Sequence, residues 1–158
     1  DVFILGLLFV YRGYIGAEFN SLEASIWIIN FTFFFFVGLA FLKRYAELNS
    51  TFVEKKNLSK LRPYKKEDKQ KISLFSFICI TIATILLINY FSTSKIKLLY
   101  QNTIYLYAIP PVFFTYCFIL FDKLIINKSI EDPINYCLKL KSSWIFFIFI
   151  LILLILAK

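Results

Sequence analysis

Apolar residues along this chain come in long blocks with no strict alternation. Spanning a bilayer core takes about 20 apolar residues. Five blocks reach or approach that length: residues 2–17, 26–42, 72–91, 102–121 and 144–157. Each is too long for a normal strand, so the pattern predicts helices rather than a barrel. The first block is short and carries Arg12. The second contains the run Phe33–Phe36, and the third has no charge at all. The fourth contains Pro110-Pro111, where the missing N–H and the ring clash predict a kink. The fold class expected is an all-α, polytopic transmembrane helical bundle.

Between the blocks the polar positions are strongly basic. Residues 43–71 hold Lys43, Arg44, Lys55, Lys56, Lys60, Arg62, Lys65, Lys66, Lys69 and Lys71. Residues 122–143 hold Lys123, Lys128, Lys139 and Lys141. The other two connectors hold only Arg12, Lys95 and Lys97. The positive-inside rule therefore places loops 43–71 and 122–143 in the cytoplasm. Five crossings put the N-terminus inside and Lys158 outside.

Composition agrees with a lipid solvent. Of the 158 residues, 59% are hydrophobic and 20% aromatic, and the mean hydropathy is +0.72. Soluble domains sit near 45–50% apolar. The net charge of +8 is concentrated between apolar blocks, so topology accounts for it and nucleic acid is not an expected partner. The absence of His removes the commonest metal ligand and general base. Cys79, Cys117 and Cys137 lack metal-ligand spacing, and the first two read as small buried hydrophobes. The chain starts at Asp1 and contains no Met, which reads as a fragment lacking its N-terminal part.

Three places carry candidate chemistry. Lys43, Arg44 and Glu47 continue the second helix, with Lys43 and Glu47 at i,i+4 and Arg44 beside them. Arg62 and Tyr64 follow in Leu61-Arg62-Pro63-Tyr64. This group is either a positive-inside anchor with a helix ion pair or an anion site for a phosphorylated substrate, since Arg offers phosphate a bidentate fork. Arg12 either faces a polar cavity or snorkels to an interface. Glu131 and Asp132 either bind a divalent cation or, with Pro133 in the first turn, cap a helix.

In that order and spacing, Asp1-Val2, Arg12 and Gly16, Lys43-Arg44-Tyr45-Ala46-Glu47-Leu48, Leu61-Arg62-Pro63-Tyr64 and Asp132-Pro133 resemble the UbiA-type prenyltransferase superfamily, in its decaprenyl-phosphate phosphoribosyltransferase-like branch. The resemblance covers the chain as the C-terminal half of a protein about twice as long. It implies a nine-helix bundle in a bacterial inner membrane, with a cytoplasmic active site. It implies Mg²⁺ and a diphosphate held mainly by an aspartate-rich motif from the other half, so the fragment alone is inactive. A polyprenyl phosphate would attack C1 of phosphoribosyl pyrophosphate, releasing diphosphate. Other members move a prenyl group from a prenyl diphosphate to an aromatic acceptor. By the same resemblance, Lys43, Arg44 and Arg62 neutralise donor phosphates, and Tyr64 bonds a phosphate or ribose oxygen. Glu47 orients Lys43 or Arg44, or reaches Mg²⁺ through water, and Arg12 lines the cavity. One departure is Leu140 between Lys139 and Lys141, where members carry an acid. Readings of another class are a small transporter subunit, using Arg12 and the proline kink to line a pathway, and a membrane anchor binding anionic lipids.

Overall fold

A computed structural model describes residues 1–19, 25–49, 68–126 and 133–158. Among the described residues every regular element is a helix. They are α1 (Val2–Phe19), α2 (Ile26–Asn49), α3 (Lys69–Phe91), α4 (Ser94–Leu99), α5 (Thr103–Tyr107), α6 (Ile109–Ile126), α7 (Pro133–Lys139) and α8 (Lys141–Ala157). Four stretches are long and apolar enough to cross a membrane: Val2–Phe19, Ile26–Leu48, Lys69–Phe91 and Thr103–Leu124. The helix α8 is apolar and has 17 residues, about 25 Å of rise, against a hydrocarbon layer of about 30 Å. The chain is a multi-pass α-helical membrane protein.

The apolar blocks underestimate the helices at their polar ends. Lys69, Gln70 and Lys71 lie ahead of the third block and form the first turn of α3. Lys43 to Asn49 extend α2 well past residue 42. Lys, Gln, Arg and Glu are good helix formers, so hydrogen bonding carries the helix on after the lipid-facing residues end.

The fourth block departs more from its expected form. The chain breaks at Ala108, between α5 and α6. Pro110 and Pro111 then fall in the first turn of α6, where an N–H has no intrahelical acceptor and proline costs nothing. The prolines thus stand just after an interruption in helical hydrogen bonding at Ala108, whose backbone stays helical within one spanning stretch. Pro133 likewise occupies the first position of α7; Glu131 and Asp132 lie outside the described residues.

The helices α1 and α2 form an antiparallel pair. The ring of Phe9 stacks on Phe36 at 4.0 Å and that of Phe3 meets Phe41 edge-on at 6.2 Å. The pair α2 and α3 shares the most extensive contact in the molecule. It passes through Gly38, where a Cβ would come within 3.0 Å of Ile80 Cγ1. Beside it, the buried Ser76 hydroxyl donates to the Gly38 carbonyl at 2.8 Å. Thr32, Thr81, Thr84 and Thr115 each donate to a carbonyl of their own helix, which satisfies hydroxyls without water.

Successive positions of the Phe33–Phe36 run point about 100° apart, so they serve different neighbours. Phe36 goes to Phe9 of α1, and Phe35 goes to Phe113 of α6 at 5.3 Å. Two apolar clusters sit at opposite ends. One joins Leu42, Ala46 and Leu124, with Tyr136 of α7 against it. The other joins Leu87, Phe91, Ile96, Leu106, Ile109, Leu153 and Ala157. At that second end the Asn102 N–H donates to the Ala157 carbonyl at 3.1 Å.

Candidate functional site

The last turns of α2 carry Lys43, Arg44 and Glu47, and the antiparallel register brings the start of α1 beside them. Arg44 is 7% exposed. Its Nη1 donates to both Glu47 oxygens, at 2.8 and 3.1 Å. Its Nη2 donates to Asp1 Oδ2 at 2.6 Å. The Glu47 bond is the i,i+3 pair that helical spacing allows, and through it Glu47 orients Arg44. The Asp1 bond joins residues 43 positions apart and exists only because the helices pair in this register.

Two carboxylates thus share one guanidinium. Asp1 and Glu47 keep contact with solvent, their side chains being 50% and 27% exposed. The Arg44 Nε–H is buried and has no acceptor among the described residues. A buried donor left unmet is costly, so Arg44 keeps unused hydrogen-bonding capacity at Nε.

A second cation belongs to the same end. Lys69 Nζ lies 5.2 Å from the centroid of the Tyr45 ring, within cation–π range. Tyr45 is buried and stacks on Phe121 at 6.1 Å. The sequence reading passed over both contacts. Their signal was present: Lys69 opens the helix that follows the loop, so it must start near where α2 ends.

Other expected site residues are placed differently. Arg12 stands eleven residues beyond Asp1, about 16 Å along α1 at 1.5 Å per residue. It is exposed and does not join the Arg44 cluster. Arg62 and Tyr64 lie outside the described residues.

Among the described residues, no three acidic or cysteine side chains converge as metal ligands. The two carboxylates that do converge face the Arg44 guanidinium, whose charge opposes a cation. The described residues therefore do not fit a magnesium site. The three cysteines are free, Cys117 buried and Cys79 and Cys137 half-buried. Burial pushes the Cys137 thiol above its ordinary pKa.

A groove of about 720 Å³ opens at the opposite end. It runs between α1, the start of α2, the end of α3 and α4, and is lined by Gly13, Tyr14, Trp27, Tyr90, Lys95 and Leu99 among others. None of the expected site residues lines it.

No protein-family profile matches the chain, and no solved structure matches it. A protein of Sinorhizobium fredii (strain NBRC 101917 / NGR234), uncharacterized protein y4nM, is 28% identical over 149 residues. That stretch is 91% of this chain and 28% of the relative. The chain thus spans under a third of the relative it matches.

Proposed function

We propose that this chain is part of a membrane transferase that moves a phosphoribosyl group from phosphoribosyl pyrophosphate to a polyprenyl phosphate. The observation that carries the reading is the Arg44 cluster. The motif Lys43-Arg44-x-x-Glu47-Leu48 sits on one helix end, with Arg44 buried, oriented by two carboxylates, and one N–H still unmet. The lysine-rich segment 50–67, with Arg62 and Tyr64, attaches to this same end. Fixed donors aimed at oxygens that gain charge suit a departing diphosphate. Glu47 and Asp1 hold Arg44; in this proposal Lys43, Arg62 and Tyr64 complete the anion site.

In this reading the Arg44 end faces the cytoplasm of a bacterial inner membrane. Loops 43–71 and 122–143 lie there by the positive-inside rule. Magnesium and the diphosphate are met chiefly by an aspartate-rich motif that this sequence does not contain. Transfer of a prenyl group from a prenyl diphosphate to an aromatic acceptor uses the same phosphate contacts and differs in donor.

The test uses the full-length parent in membranes, offered a labelled phosphoribosyl donor and a labelled prenyl diphosphate in parallel. Turnover of the first and not the second supports the reading; the reverse supports the prenyl alternative. Arg44→Ala should lower turnover about 10- to 100-fold, the loss expected for one charge-assisted hydrogen-bonding group. A membrane anchor or transporter subunit would turn over neither donor. An anchor would also tolerate scrambling of residues 43–64 at constant charge.

A further inference from the structure

Leu5, Leu8, Arg12, Ile15 and Phe19 recur at alternating spacings of three and four. Such residues line one side of a helix. All five are exposed. The buried positions of α1, Val2 and Gly6, lie on another side, and Gly6 faces Val37 and Phe33 of α2.

Arg12 stands at the centre of this stripe. Its place about 16 Å from the start of α1 is near the middle of a hydrocarbon layer about 30 Å thick. The nearer end of α1 is at Phe19, yet helical side chains lean toward the N-terminus, so the guanidinium leans away from that nearer end. It forms no ion pair or hydrogen bond among the described residues. A charge at this depth is expensive unless something answers it. On the same side, one turn on, a Cβ at Gly16 would meet nothing within 4 Å, which leaves room for another backbone to come close.

Lipid tails offer the guanidinium no acceptor. A second copy related by a two-fold axis would set Arg12 against Arg12. A helix carrying an acid answers both the apolar stripe and the charge. The rhizobial relative holds the matched stretch within 28% of its length, so polypeptide to supply such a helix accompanies this segment there. We infer that the Leu5–Leu8–Arg12–Ile15–Phe19 stripe is the docking seam for a further apolar helix of the same parent polypeptide, which presents a carboxylate to Arg12. The inference stands apart from the transferase reading.

The test takes the full polypeptide with Cys79, Cys117 and Cys137 changed to alanine. Nitroxide labels go to Leu8→Cys and Ile15→Cys on the stripe and to Leu7→Cys off it. Labels at 8 and 15 should be at least tenfold less accessible to membrane-dissolved oxygen than the label at 7. Arg12→Glu should lower the folded amount at least fivefold, and a single Asp→Lys or Glu→Lys change outside residues 1–158 should restore it. Equal accessibility at all three positions would mean a lipid-facing stripe and would overturn the inference. Protection that disappears at high lipid-to-protein ratio would mean a second copy and would overturn it too. So would Arg12→Glu folding as well as Arg12→Gln.

Discussion

Arg44 and Arg12 are the same side chain at two stations of one helical hairpin, and they live under opposite conditions. Arg44 is buried at the hairpin's polar end, its guanidinium divided between Asp1 and Glu47. Arg12 is exposed within an apolar helix and has no described partner. The first is a charge whose surroundings were built within this chain. The second is a charge whose surroundings come from elsewhere. Removing Arg44 should therefore destabilise the folded hairpin, whereas removing Arg12 should ease the entry of α1 alone into the bilayer.

Arg44→Ala should have the largest effect. It leaves two carboxylates facing each other at a partly buried site, and breaking such a pair costs about 3 kcal/mol or more. Unfolding by denaturing detergent in mixed micelles would measure it; an unchanged midpoint would erase the contrast. Arg12→Leu should act on a different step, the insertion of α1 by itself. An arginine at mid-depth costs about 2.5–3.5 kcal/mol on insertion scales, and leucine is mildly favourable. Insertion of α1 by the translocon, read by glycosylation of flanking tags, should rise by that much. Gly38→Leu should cost about 2 kcal/mol by overpacking the α2–α3 contact, since even its Cβ would press on Ile80 at 3.0 Å. The same unfolding assay would show it. Asp1→Asn removes one charge from the Arg44 cluster while keeping an oxygen acceptor. It should cost about 1 kcal/mol, less than Arg44→Ala, because Asp1 is half-exposed. Ser76→Ala should cost the least, about 0.6 kcal/mol, typical of a hydroxyl bond between membrane helices.

Block length alone reveals the membrane spans, and basic residues mark which ends are polar. The faces of the helices are not legible in the same way. A helix in lipid is apolar all round, so periodicity does not say which side is buried. That is why the pairing of Phe9 with Phe36 and of Asp1 with Arg44 needs the structure. The Arg44–Glu47 bond was readable, because helical spacing alone creates it. The Asp1 bond was not, because it depends on register between two helices. The break at Ala108 was also hidden. Pro110-Pro111 signals a disturbance in the fourth block, but hydropathy runs unbroken across it and gives no boundary.

That break bears on how the span sheds its water. The first N–H groups of any helix point outward with no carbonyl to meet, and each one taken dry into hydrocarbon costs several kcal/mol. At the start of α6 two of those groups do not exist, because Pro110 and Pro111 supply the second and third residues. The Val112 N–H already reaches back to the Ala108 carbonyl at 3.4 Å. A fresh helix can thus begin within an apolar segment and carry almost no thirst for solvent, so this crossing can change direction without drawing water in after it.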